Sequence, residues 1–444
     1  MKKTLALILA LVMVLCVFVG CGKKAEEPAV EEAPVKEEVK EEEKAPEEEF
    51  EAEDIEEPEP EFSMDYAGET ITIFTRQAEK ETWPEFAALV KEKTGIIVEA
   101  VAAPTAYGDL TTKLASVVTT GDDTYDIILV DELLAYTYQA SGFLAPIGDA
   151  IDPYIECFPD SVVTDVIKVK TEDSYIMPLS LNPMMFYVNN DVLGETAVPT
   201  NKDEFLEAAK AMTDGDTYGL AAAWASGGYL FNDIIKYSYL FDGDFYNWDD
   251  QNMRDAIQFM YDAVYTHKIT PQSVLADNYT VMYQKMLEDQ YGMAIAWSAL
   301  AQTAGPDNFG SKITIEKYPT FNTNRAVYNG WGMALNAASK KQEAALQVLK
   351  VWSSYEGQKV NAKYFDGTAR MDVLADPEVL ELKLEGADIQ AYTQEAQLQA
   401  RPMSVYVNEV QEIMESNVSA YLSQQITLDE CCANVNAGLA SIDF

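Results

Sequence analysis

Residues Tyr125–Asp131 read YDIILVD. Their apolar core is too short for a helix and lacks the alternation of a one-sided strand. Such a run belongs in a parallel sheet covered on both faces. What precedes it fits the same layer. ETITIF alternates as a strand does and turns at Thr75, Arg76 and Gln77. Trp83, Phe86, Ala87 and Val90 then recur at helical spacing, and Gly95 closes that helix. IIVEAVAA reads as a second strand. A second helix carries Leu110, Leu114, Val117 and Val118 on one face and stops near Gly121. Strand–helix–strand–helix–strand in so short a span is an α/β layer.

Asp131 closes the third strand. Ligands bind open parallel sheets at the carboxyl edge, so a polar residue there is placed to meet one. It is equally an N-cap for the helix ELLAYTYQASG, because Asp accepts from free first-turn N–H groups.

The N-terminal segment sets a location. Residues 1–20 carry two lysines, an apolar stretch from Leu5 to Val19 and a small residue, the plan of a secretory signal. As a helix the apolar part spans roughly 22 Å, short of a bilayer core. Val19-Gly20-Cys21 resembles a bacterial lipobox, with Phe18 where Leu is usual. The resemblance makes Cys21 the lipidated first residue of the mature chain. Two or three acyl chains give stable anchoring to the outer face of the cell membrane where one does not. From Cys21 to residue 62 the composition shifts to 19 acids against five lysines, with repeated Pro. Such a segment buries no core and is expected to be a disordered acidic tether, reaching on the order of 130 Å.

About 380 residues remain, more than one ordinary core, which predicts two lobes. The whole chain carries a net charge of −43, which argues against nucleic acid as a partner. Beyond the signal and Cys21 only Cys157, Cys431 and Cys432 occur, without metal-ligand spacing. The adjacent pair reads as packing residues rather than a redox pair.

Several blocks, in order, carry a resemblance. VKEKTGIIVE, DIILVDELLAYTYQASGFLAPI, SYIMPLSLNPMMFYVNNDVL, GMAIAWSAL, GWGMALNAASKKQEAALQVLKVWSSYEGQ and ARPMSVYVNEV span most of the body. Together they resemble the family-one extracellular solute-binding proteins of bacterial ABC importers, the group that includes maltodextrin-binding protein. The resemblance implies an α/β, two-lobe, type II periplasmic-binding-protein-like fold with three crossover strands as a hinge. It places crossovers near 178–182, 313–321 and 336–341. Lobe one is then 63–180 plus 320–337, and lobe two is 181–312 plus 338–444. It also implies a solute held between the lobes, a permease as partner, no cofactor, no metal, and action as a monomer.

Sugars present apolar C–H faces and a rim of hydroxyls, so a site for them pairs flat aromatic rings with amides or carboxylates. The resemblance points to Asp131, to Asn182 at the first crossover, and to Trp224 and Tyr229 beside Gly227-Gly228. It points further to Trp297 ending GMAIAW, Trp331 in NGWGMAL and Tyr406 in MSVYVNEV. Each has a packing alternative, and Asn182 also precedes Pro183 in a bend. Leu133 and Leu134 stand where maltodextrin-binding protein carries aromatic and charged contacts, so maltodextrin itself is unsupported. Arg76 and Arg370 are read as surface ion-pairing residues, with a place facing the cleft as the alternative. The acidic loop DGDFYNWDD lacks the Gly and Glu of an EF-hand and reads as a turn. The sole histidine, His267, sits near a helix end, and no nucleophile elbow, zinc helix or P-loop appears. The reading is a lipid-anchored, non-enzymatic receptor for a mono- or oligosaccharide. The alternatives are a receptor for a cationic solute such as a polyamine, and a secreted carboxylate-pair glycoside hydrolase.

Overall fold

The computed structural model describes residues 61–442 apart from 81–82, 105–106, 365–367, 383–385, 387, 390–391 and 393–396. The signal, Cys21 and all but the last two residues of the tether lie outside the described residues.

The first sheet grows from the strands read above. Strand β1 (Thr70–Thr75) pairs in parallel with β2 (Ile97–Ala102) and with β3 (Ile127–Asp131). Helices α1 (Trp83–Thr94) and α2 (Tyr107–Thr120) connect them. Leu110, Leu114, Val117 and Val118 of α2 are all buried, as their spacing requires. Every residue of β3 is buried, because β1 flanks it on one side and a long antiparallel strand on the other. That partner is β9 (Arg325–Asn336). The short β4 (Leu144–Ala145) also pairs with β9.

Strand β5 (Ile176–Asn189) joins two sheets. Its first half pairs with β9, with a register shift between Pro178 and Ser180. Its second half pairs with β7 (Tyr291–Trp297) and β8 (Ile313–Glu316). Strand β6 (Tyr218–Leu220) lies parallel to β7, and β10 (Gln397–Ala400) parallel to the start of β9. The first sheet thus runs β2-β1-β3-β9-β5 and the second β5-β7-β6. Each has its own core: one holds Ile71, Leu114, Ile128 and Leu349, the other Phe186, Leu230, Met260 and Val418.

One expected boundary needs correction. The division above put residues from 338 onward with the second lobe. Helix Gln342–Ser353 instead buries Ala344, Ala345, Val348 and Leu349 in the first core. The anchor is aromatic, for the Trp352 ring lies 4.2 Å from Phe86 and 6.4 Å from Trp83 of α1. Downstream, Met371 and Leu374 belong to the second core. The chain therefore stays with the first sheet well past the expected crossover at 336–341.

The sequence Asn329-Gly-Trp-Gly332 on β9 obeys the two-residue period of a strand. Asn329 and Trp331 share one face. On the other face a Cβ at Gly330 would meet Val166 at 2.5 Å, and one at Gly332 would meet Ile176 at 2.1 Å and the Met177 carbonyl at 2.6 Å. Since backbone cannot yield as a side chain does, Gly332→Ala should cost about 2–3 kcal/mol by forced overpacking. Urea denaturation checks this, and a wild-type midpoint would show that β5 and β9 are not packed this closely.

Among the described residues no helix is long and apolar enough to cross a membrane. Cys157, Cys431 and Cys432 are buried, and burial pushes the Cys431 and Cys432 thiols up. They are packing residues.

Candidate ligand-binding site

The carboxyl ends of β1, β2 and β3 lie side by side, the edge at which open α/β sheets receive ligands. The first gives Arg76, whose guanidinium carbon lies 4.6 Å from the Trp331 ring centre and whose Nε donates to the Pro104 carbonyl at 3.1 Å. The second gives Tyr107, its ring edge-on to Trp331 at 6.1 Å. The third gives Asp131, paired in register with Trp331 across β3 and β9.

Asp131 is the N-cap that its place in sequence allowed, and its second oxygen is held by other side chains. Its Oδ1 accepts from the Leu134 N–H at 2.9 Å, capping helix α3 (Glu132–Ala140). Its Oδ2 accepts from the Tyr107 hydroxyl and from Arg401 Nη2, each at 2.8 Å. Arg401 Nε donates to Glu132 Oε1 at 2.7 Å, and the Gly330 N–H donates to Glu132 Oε2 at 3.1 Å. Asp131, Glu132 and Arg401 are all buried. Burial pushes the Glu132 carboxyl up, against the pull of Arg401. Burial opposes the Arg401 charge, but the two carboxylates outweigh it and keep the guanidinium protonated. Burial and the Asp131 carboxylate push the Tyr107 phenol well above its ordinary value.

The opposite wall begins at Gly227 and Gly228, with φ of +98° and +99°, values that favour glycine. They lead into helix Tyr229–Leu240. The N–H groups of Gly227, Gly228 and Phe231 donate to the Glu415 carboxylate at 3.1, 2.8 and 3.1 Å. This helix start, a natural anion site, is thus filled by the protein's own carboxylate. Gln411 Nε2 adds a contact to Glu415 at 3.3 Å. Tyr229 meets Tyr279 edge-on at 5.2 Å.

Between the walls is a cavity of about 230 Å³, lined by Arg76, Tyr107, Asp131, Asn329, Trp331 and Arg401 on one side. Gly227, Gly228, Tyr229, Asn232, Tyr279 and Gln411 line the other. It offers aromatic rings with a few convergent polar groups, the makeup of a small-solute site. A larger groove of about 610 Å³ lies at Tyr136, Tyr246, Met403 and Leu439. Its lining has no charged residue.

Of the seven residues named from sequence, Asp131, Tyr229 and Trp331 line the cavity, and four do not. Trp224 is 1 % exposed and donates its indole N–H to Asp233 at 2.8 Å, a core contact. Trp297, the last residue of β7, packs in the second core. Asn182 Oδ1 accepts from the Ser298 hydroxyl at 2.7 Å, tying β5 to the segment after β7. Tyr406 stands half-buried at the start of helix Val407–Leu422, outside the lining. The two arginines differ in place. Arg76 lines the cavity, while Arg370 is fully buried on Asp372 and the Ser353 carbonyl. In the acidic loop, Asp250 caps helix Gln251–Tyr265 and Asp242 pairs with Arg325. No cluster able to hold a metal occurs among the described residues.

The strand-end rule that picked Asp131 also reaches Arg76 and Tyr107. Two-residue alternation beside Trp331 reaches Asn329. Arg401, some 270 residues from its carboxylates, leaves no local signal.

Two α/β sheets sharing a strand, with a polar and aromatic cavity at the strand ends, define a solute receptor of the type II periplasmic-binding fold. A family model described as bacterial extracellular solute-binding protein matches residues 75–359, and the chain belongs to that family. No curated relative matches it. Similar solved structures include maltose-bound MalE3 of T. maritima, at TM-score 0.71 and 21 % identity, covering 84 % of this chain and 99 % of that one. A solute-binding protein of Thermotoga lettingae bound with α-D-tagatose follows at 0.68 and 20 %, covering 84 % and 100 %. One from Agrobacterium radiobacter K84 in complex with ribitol gives 0.67 and 20 %, covering 84 % and 99 %.

Proposed function

We propose that this protein is the lipid-anchored receptor of an ABC importer. It takes a small uncharged polyol, a single-ring sugar or a short sugar alcohol, and acts as a monomer. The lobes close over the solute, and the closed form is what the permease recognises. The observation that carries this reading is the cavity, which Trp331 and Tyr229 line and where Arg401 and Asp131 are already paired within the protein. Arg401 is matched by Asp131 and Glu132, and the helix start at Gly228 by Glu415. A volume of about 230 Å³ falls below the roughly 300–1,000 Å³ of drug-sized pockets, which favours one ring over a longer chain. Similar receptors hold tagatose and ribitol. Shifting the lobes from 1:99 to 99:1 takes roughly 5.5 kcal/mol of differential affinity, within reach of several hydroxyl bonds and a stacked ring.

Arg76 on the cavity wall counts against a polycation. A carboxylate-pair hydrolase needs a general acid facing the scissile bond, whereas both carboxylates here are bonded to Arg401. Thermal-shift screening of monosaccharides, sugar alcohols and disaccharides tests the proposal. A hit should weaken about tenfold in Trp331→Ala, the loss of one stacked face, and should barely respond to salt. A response only to spermidine, or steady turnover of chromogenic glycosides, would end it.

A further inference from the structure

Asn329 shares its strand face with Trp331, the aromatic platform of the cavity, and lines that cavity itself. It is 8 % exposed, and its Oδ1 meets no donor among the described residues. The nearest amide by register is Asn182 on β5. Cross-strand partners share a face with Cβ atoms about 4.5–5.5 Å apart. Asn182 nevertheless commits its carbonyl to Ser298 and gives nothing to Asn329 Oδ1. Folding rarely leaves a buried carbonyl without a donor, because desolvation is then uncompensated. Beside a platform, and two strand residues or about 6.4–6.8 Å from it, such a group is placed for a ligand.

We infer that Asn329 reads the ligand: a solute stacked on Trp331 directs an O–H into the Asn329 carbonyl, and an analogue lacking that hydroxyl is rejected. This rests on the proposed polyol receptor and names the residue that sets its specificity. A hydroxyl serves whichever way the amide is turned, since it both donates and accepts. Hydrogen-bonding sites discriminate strongly against ligands missing the matching group, because the protein's own group is then left buried and unpaired.

The test is Asn329→Leu, close in shape and without polar atoms, with Asn329→Ala as a second variant. Two readouts are taken. The first is the melting temperature without ligand. The second is calorimetric titration with maltose, D-tagatose, ribitol and D-mannitol. The expected result is a melting temperature at or above wild type, together with a tenfold or greater loss of affinity for whichever probe binds. A fall of several degrees in both variants would make Asn329 a strut between β5 and β9 and overturn the inference. So would undiminished affinity in a variant that melts normally, and the polyol reading would survive that outcome. If spermidine, titrated as a control, alone binds wild type, the polyol reading and the hydroxyl contact at Asn329 both fall. Binding of none of these probes counts against both.

Discussion

Replacing Arg401 with alanine should destabilise the folded body by about 3–5 kcal/mol, the penalty for stranding buried carboxylates. Asp131 and Glu132 are both inaccessible to solvent and both lean on this guanidinium. The deficit should depend on pH, and its sign follows from Glu132, whose carboxyl burial already pushes up. Without Arg401 it goes higher. A carboxyl raised in the folded state contributes full stability when protonated and loses it as pH rises through its folded value. The gap between Arg401→Ala and wild type should therefore narrow as pH falls and widen as pH rises in denaturant titrations. A second construction separates charge from packing. Adding Asp131→Asn and Glu132→Gln to Arg401→Met should recover most of the loss, since replacing a whole buried ion cluster is far milder than breaking it. A pH-independent deficit, or no recovery, would show that Arg401 acts through its bulk alone.

Glu415→Ala should cost about 3 kcal/mol, because three backbone N–H groups share this one charged acceptor and hydrogen bonds to ions contribute more than neutral ones. The carboxylate also complements the positive end of helix Tyr229–Leu240. Glu415→Gln keeps the shape and some of the bonds and should lose roughly half as much. The effect reaches function through position. Gly228 and Tyr229 line the cavity, so loosening the turn should weaken the polyol found by screening, beyond any change in the fraction folded. Urea titration gives the first quantity and calorimetry on the folded variant the second. Wild-type stability in Glu415→Ala would mean that water or a neighbouring side chain satisfies these amides.

The parts of the fold that sequence made legible are those where one short segment carries its own period. The apolar run before Asp131 had to be a doubly covered strand, and it is. Leu110, Leu114, Val117 and Val118 had to share a helix face, and all are buried. The ordered blocks reached the family that the residue 75–359 match identifies. The site was half legible. Trp331 and Tyr229 face the cavity, whereas Trp224 and Trp297 are core residues, and no local pattern separates an aromatic that stacks on a ligand from one that fills a lobe. Helix Gln342–Ser353 was assigned to the wrong core for a like reason. Its apolar face was plain, but which sheet it covers depends on meeting Phe86 some 250 residues earlier.

Local periodicity and turn chemistry act over a few residues, and they alone determined an α/β layer, its helices and the cap at Asp131. Tertiary structure decided the rest. It set Arg401 between two distant carboxylates, filled a helix start with Glu415 and left the Asn329 carbonyl without a donor among the described residues. Those outcomes depend on Coulomb and hydrogen-bond terms between groups far apart in the chain, which become definite only once the two sheets are packed.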